Sequence, residues 1–211
     1  MRLYTFYTPN CLKIHMALAE LGVDCERKPI SLAKREQMGE EFKRINPHRK
    51  VPVLEVEGKA IAESGAILQY LGRAASGTLW PLDAIEDARL ARWLFFESVH
   101  LAPYCGPIWW SDVLAPRRRV EPASEARLEL AVSDLARALD VLHEEFETRD
   151  HLAETGFTLA DCALGATLSM LKDTRVDLAE RWPNVDLYGA RVRARRSWRE
   201  GEGDRCLHWV D

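Results

Sequence analysis

The amino-acid sequence predicts a small α/β domain followed by an all-helical one. Three observations point there. The hydrophobic period switches repeatedly over the first eighty residues. A stretch starting near residue 75, A-A-S-G-T-L-W-P-L-D, carries Gly, Ser and Pro and reads as a linker. Beyond it, helical spacing continues to the C-terminus with no convincing strand. The expected domains are residues 1–77 and 84–211.

Residues 2–7 form the first strand candidate. Ile14, Ala17, Leu18 and Leu21 then follow helical spacing and stop at Gly22, a good helix terminator. Cys25 to Ile30 is a weaker strand candidate. Residues 35–45 read as a charged amphipathic helix ending at Asn46-Pro47. V-P-V-L-E-V, the turn Glu57-Gly58 and K-A-I-A read as a hairpin. From Ser64, with Ile67, Leu68 and Leu71, runs a third helix. The order βαβ–α–ββα mixes a parallel crossover with an antiparallel hairpin. After the linker, helical patterns span 84–112, 123–148, 158–174 and 184–197. Pro103 and Pro107 should bend or break the first of these. Thr158 followed by Asp161 fits a capping box, with Asp in the usual place of Glu.

Composition narrows the function classes. At 47% apolar and 29% charged residues the chain is an ordinary globular protein. A formal charge of −4 leaves no basic footprint, so nucleic acid is not expected as a partner. No apolar run approaches the ~18 residues that cross a bilayer, so no membrane partner is expected. The start M-R-L-Y-T-F lacks a signal peptide's apolar core, so a cytoplasmic location is expected. The cysteines at 11, 25, 105, 162 and 206 form no C-x-x-C pair and match no zinc spacing, which implies reduced thiols and no metal site.

The segment N-P-H-R-K-V-P-V-L carries the chemistry. Proline disfavours the interior of a strand because it removes a ladder donor. An edge position or a cis Val51-Pro52 bond at the strand's start would resolve this, and the cis bond would turn the Val51 N–H and C=O outward, toward an extended peptide ligand. Glu63-Ser64 follows at the start of the third helix. Helix N–H groups and the Ser64 hydroxyl favour a carboxylate there, while Glu63 can hold an ammonium. Together these describe a pocket for a small peptide with a free amino-acid end.

The pattern V-P-V-L…E-S-x-A-I-x-x-Y-L, preceded by N-P and by T-P-N-C-x-K after a strand, resembles the glutathione transferase family. F-T-L-A-D in the helical half resembles that family's capping-box signature, and the likeness covers nearly the whole chain. The resemblance implies a thioredoxin-like domain plus a helical bundle, assembled as a homodimer, with glutathione as co-substrate. It implies that Val51, ahead of Pro52, pairs with the cysteinyl backbone of glutathione. Glu63 and Ser64 would take the γ-glutamyl end, and Lys50 or Arg49 the glycyl carboxylate. Glu63-Ser64 also reads as an ordinary helix start, and the basic run around Lys50 as solvated charge. The family commonly has Gly where Arg49 stands, a departure that bears on the turn.

Activating glutathione means stabilising a thiolate whose ordinary pKa resembles that of free Cys, about 8.5. Thr8 can donate a hydroxyl to it at the start of the first helix. Thr8-Pro9 is also an ideal N-cap followed by Pro at the first helical position. The resemblance matches Thr8 and Asn10 to bacterial relatives with T-P-N-G-x-K and disulfide-reductase activity; here Cys11 replaces the Gly. A helix N-terminus would lower the Cys11 pKa and make it a candidate for mixed disulfides. The catalytic candidates are Thr8, Asn10 and Cys11, and the hydroxyl is favoured. His100, Tyr104 and Trp109, beside Trp110, suit a small hydrophobic electrophile. Trp93, Phe95 and Phe96 read as core or dimer packing, His15 as packed or solvated, and R-V-R-A-R-R as a solvated or counterbalanced face. The leading expectation is a glutathione transferase. A glutathione-dependent disulfide reductase and a non-catalytic protein-binding scaffold are the alternatives.

Overall fold

A computed structural model describes residues 1–75, 77 and 79–207. Ser76 and Thr78 of the expected linker, and residues 208–211 of the expected second domain, lie outside the described residues. Strand β1 (Arg2–Thr5) is followed by helix α1 (Pro9–Leu21) and by strand β2 (Glu26–Pro29), parallel to β1. Strand β3 (Val53–Val56) pairs antiparallel with β1 and with β4 (Lys59–Ala62), giving the order β2-β1-β3-β4. Helix α3 (Ser64–Ala74) completes a thioredoxin-like unit, and the short α2 (Glu40–Ile45) precedes β3.

Local chemistry explains the boundaries. Strand β1 stops before Phe6 and Tyr7 because the Thr8 N–H turns back onto the Phe6 carbonyl at 3.0 Å. Thr8 is extended and caps α1, Pro9 opens it, and Gly22 closes it at φ 62°. Across that end the Val23 N–H reaches the Leu18 carbonyl at 3.0 Å, a glycine-dependent stop. The helix expected over 35–45 is broken in two. A 3-10 turn, Glu36–Met38, follows Arg35 at φ 57°, and Gly39 is extended ahead of α2. Glu57 (φ 50°) and Gly58 (φ 75°) both take positive φ in the hairpin, as a primed turn requires.

The second half contains α4 (Ala84–Phe96), α5 (Ala102–Trp109), α6 (Ala115–Arg118), α7 (Glu125–Glu145) and α8 (Leu159–Leu168). Four more helices follow: α9 (Leu178–Arg181), α10 (Pro183–Arg193), α11 (Arg196–Glu200) and α12 (Gly203–Leu207). The prolines do not break the first long pattern, which instead runs past 112 to Arg118. Wide π turns at Glu97–Leu101 and Trp110–Leu114 absorb the donors that Pro103 and Pro116 lack. The expected 158–174 helix ends early in a 3-10 turn, Ser169–Leu171, and extended Arg195 divides the 184–197 pattern.

Side chains from both halves form one core. Leu3, Leu12, Ile14, Leu54 and Leu68 join Leu94, Leu164, Tyr188 and Trp198 in a single apolar cluster. A smaller cluster of Tyr4, Cys11, Ile30, Phe42, Val51 and Val53 fills the other side of the sheet. Helix α1 lies between sheet and bundle and is buried from Cys11 through Leu18.

Candidate active site

Strand register brings the site together. Tyr4 pairs with Val53 and Val53 with Ala62, so β1, β3 and β4 present one common end. Beyond β1 lies the loop to Thr8. Before β3 lies the Val51-Pro52 bond, which is cis. After β4 lies Glu63-Ser64. The ladder begins at Val53, two residues past Val51. Three adjacent strands bring these segments to the same end of the sheet.

Each segment is fixed from below. Thr8 Oγ1 accepts the Cys11 N–H at 3.2 Å, so capping occupies an oxygen lone pair. The hydroxyl hydrogen remains to donate, which makes capping and catalysis compatible. Thr8 is half-buried and Asn10 is exposed in the first turn of α1. Asn46, 3% exposed, holds the loop before Val51. Its Nδ2 donates to the Lys50 carbonyl at 2.8 Å and its Oδ1 accepts the His48 N–H at 3.0 Å. Asn46 is a positioning residue the sequence reading passed over, although N-P ahead of V-P is its signal. Arg49, at φ 54°, turns to Glu40 at 3.3 Å, leaving Lys50 as the exposed cation of the loop. Glu63 is exposed at φ 68° and ψ 120°, outside the regions that L-residues favour, and Ser64 opens α3.

Cys11 departs from expectation. It is 0% exposed, its Sγ accepts the Phe6 N–H at 3.4 Å, and it packs with Val51 and Val53. Burial pushes its pKa up, against the opposing pull of Thr8 and Phe6. The low-pKa thiol expected of a helix N-terminus is therefore absent. Its side chain instead carries the α1 N-terminus against Val51.

The aromatic candidates divide. Trp109 is half-buried and donates Nε1–H to the Leu207 carbonyl at 3.1 Å. Tyr104 is half-buried against the main core. His100 is exposed. It lies against Phe96 with ring centroids 5.4 Å apart and lines an apolar groove of about 370 Å³ with Phe95, Val99 and Val141. Trp93 is core, whereas Phe95 is 66% exposed.

Polar clamps join α1 to the helical half. Lys13 Nζ meets Glu97 Oε1 at 2.9 Å, both nearly enclosed, and Thr167 donates to the same oxygen at 2.5 Å. Arg195 and Ser197 bind Glu20, with Arg195 Nε at 2.6 Å. Burial raises the Glu20 pKa, but these partners outweigh it and leave the carboxyl below its usual range. Arg195 is thus counterbalanced by an acidic neighbour, one of the two readings expected of its basic run. The Asp161 carboxylate accepts from the Thr158 N–H at 2.8 Å, Leu152 N–H at 3.0 Å and Tyr188 hydroxyl at 3.0 Å.

Comparison with known proteins bears on this geometry. Residues 1–73 match the model of the glutathione S-transferase N-terminal domain, and residues 96–196 that of the C-terminal domain. The chain is 30% identical over 200 residues to the disulfide-bond oxidoreductase YfcG of Escherichia coli (strain K12), covering 92% of this chain and 90% of that protein.

The chain belongs to the glutathione S-transferase family.

Within this family it is also 29% identical over 198 residues to glutathione S-transferase 3 of Zea mays, covering 92% of this chain and 88% of that one. A solved glutathione transferase family member from Pseudomonas fluorescens, with two glutathione bound, superposes with a TM-score of 0.81 at 26% identity. That alignment covers 98% of this chain and 92% of the other. Among the described residues no helix is long and apolar enough to cross a membrane, and no cluster of His, Cys, Asp or Glu is placed to hold a metal.

Proposed function

We propose that this glutathione S-transferase family member binds glutathione at the common end of β1, β3 and β4 and directs its thiolate onto a small hydrophobic electrophile. The observation that carries this is the meeting of Thr8, Val51 and Glu63-Ser64 at one sheet end. The Val51 main chain pairs with the cysteinyl unit, Lys50 takes the glycyl carboxylate, and the α3 N-terminus with Ser64 takes the α-carboxylate. Glu63 holds the ammonium. Thr8 donates its O–H to the sulfur, aided by the α1 N-terminus and by Asn10.

A hydrogen bond to a charged acceptor contributes about 1.5–3 kcal/mol, and each pKa unit is worth about 1.4 kcal/mol, so Thr8 can bring the thiol from about 8.5 toward neutrality. The thiol proton leaves to solvent, a sulfur–carbon bond forms and the electrophile's leaving group departs. Tyr104 and Trp109 supply the apolar wall. The subunit pairs with a second copy through the face bearing Phe95 and Val99, which are 66% and 56% exposed.

Similarity to the E. coli oxidoreductase favours a second reading, reduction of a disulfide by the bound tripeptide. Enclosure of Cys11 makes glutathione rather than this side chain the sulfur that attacks. Comparing Thr8→Val with Cys11→Ala tests both readings, by conjugation of an aryl chloride and by reduction of a model disulfide. Thr8→Val should lower turnover roughly 10–100-fold, and Cys11→Ala should retain it. The reverse pattern overturns the hydroxyl assignment. A wild-type protein that binds glutathione yet catalyses neither reaction is a scaffold, which overturns the enzyme.

A further inference from the structure

The C-terminal segment carries a feature that the glutathione pocket does not use. After α11 the chain turns back over the start of α1. Gly203 lies so close to Trp198 that any side chain there would collide with the indole, which lets α12 fold flat against it. Cys206 is 0% exposed, and its thiol donates to the Gly201 carbonyl at 3.8 Å; burial first, then Cys11 and Glu202, push its pKa up to about 12. Leu207 is tied by its carbonyl to the Trp109 indole. Between these anchors the Arg205 guanidinium lies over the Tyr7 ring, 3.7 Å from its centroid. Tyr7 is the residue before Thr8.

One face of that guanidinium is therefore fixed and the other is open: its side chain is 60% exposed. Among the described residues its ion-pair partner is Glu202 Oε2 at 3.5 Å, an exposed pair that a bound carboxylate can displace at small cost. A planar cation held flat on an aromatic ring presents a fork suited to a carboxylate. The ring it covers belongs to the residue that precedes Thr8 in the chain.

We propose that Arg205 is the specificity-determining cation of the second-substrate site, selecting electrophiles that carry a carboxylate in addition to an apolar body. The site is then a wall of Tyr7 and Trp109 with a guanidinium at its rim. This rests on the reading of Thr8 as the sulfur's partner. The reaction is the same displacement: the sulfur–carbon bond forms, the carbon–chlorine bond of an aryl chloride breaks, chloride leaves and the thiol proton goes to solvent. The substrate's carboxylate takes no part in bond making and only orients the ring.

Two glutathione conjugates serve as probes in calorimetry on the full chain, one made from 4-chloro-3-nitrobenzoate and one from the neutral 1-chloro-2,4-dinitrobenzene. The ratio of their affinities should fall about tenfold in Arg205→Gln, the scale of losing one charged contact. Arg205→Lys should restore part of it, and Glu202→Gln should raise the ratio by freeing the guanidinium. Added salt should narrow the wild-type ratio. An unchanged ratio in both Arg205→Gln and Glu202→Gln overturns the proposal. Glutathione bound without preference between the conjugates overturns it alone, whereas failure to bind glutathione overturns the proposed function with it.

Discussion

Glu63 shows how a single residue can serve binding against its own backbone preference. Its φ is 68° at the mouth of α3, and its carboxylate is the group proposed to hold the glutathione ammonium. Such conformations cost about 1–3 kcal/mol and collect at functional sites. Glu63→Gly should therefore hold or raise the melting temperature while weakening glutathione binding at least tenfold by titration. Glu63→Ala should weaken binding equally but keep the strain. A loss of stability in the glycine variant would show that the carboxylate supports the fold instead. Thr8 carries the complementary case, because its cap and its proposed donation use different parts of one hydroxyl. Thr8→Ser should keep both. Thr8→Val should cost about 1 kcal/mol of stability as a lost cap, a measurement independent of turnover.

Helix α1 was legible as an amphipathic helix from Ile14, Ala17, Leu18 and Leu21, and its cap and stop were legible from Thr8-Pro9 and Gly22. Its burial on nearly every side was not. Lys13 is 2% exposed because Glu97 and Thr167 reach it from the other half of the chain. A buried pair broken on one side leaves an uncompensated charge, costing about 3–5 kcal/mol. Lys13→Met should lose that much in denaturant titration, and Lys13→Met with Glu97→Leu should recover much of it. A loss in the double variant equal to the sum of the two single losses would mean that the pair is not coupled. The π turns follow the same logic. Pro103 and Pro107 marked an interruption, but whether the helix breaks or widens depends on what it packs against.

Across the whole molecule, docking of the C-terminal segment onto α1 should respond to acid. His15 is 5% exposed, with Nε2 2.7 Å from Thr5 Oγ1 and Nδ1 3.4 Å from the Gly201 carbonyl. Burial and then Arg27 lower its pKa to about 4, against weaker opposing pulls from Gly201 and Glu202. The unfolded chain therefore binds a proton in the window between about 6.5 and the folded value near 4. Stability is complete above that window and falls with decreasing pH inside it, by up to about 1.4 kcal/mol per unit. Glu20, held below its usual range, adds a loss at the acid end as it protonates and releases Arg195. His15→Gln should flatten the slope between pH 6.5 and 4 in thermal melts; an unaltered slope would remove His15 as its source. Sedimentation should find a dimer in the wild type and a monomer in Phe95→Glu, and a wild-type monomer would remove the partner copy from the proposal.

The order of strands and helices, the caps of α1 and α8, and the three segments proposed to hold the tripeptide are set by local rules. Proline, glycine and N-cap residues act over a few neighbours, and the alternation of apolar residues assigns faces without knowledge of what they meet. Only the folded chain decided that Cys11 is enclosed, that Lys13 is buried against Glu97, and that Arg205 comes to rest on Tyr7. Those outcomes depend on contacts between residues far apart in sequence. Desolvation and charge pairing act through distance in space, which no spacing along the chain records.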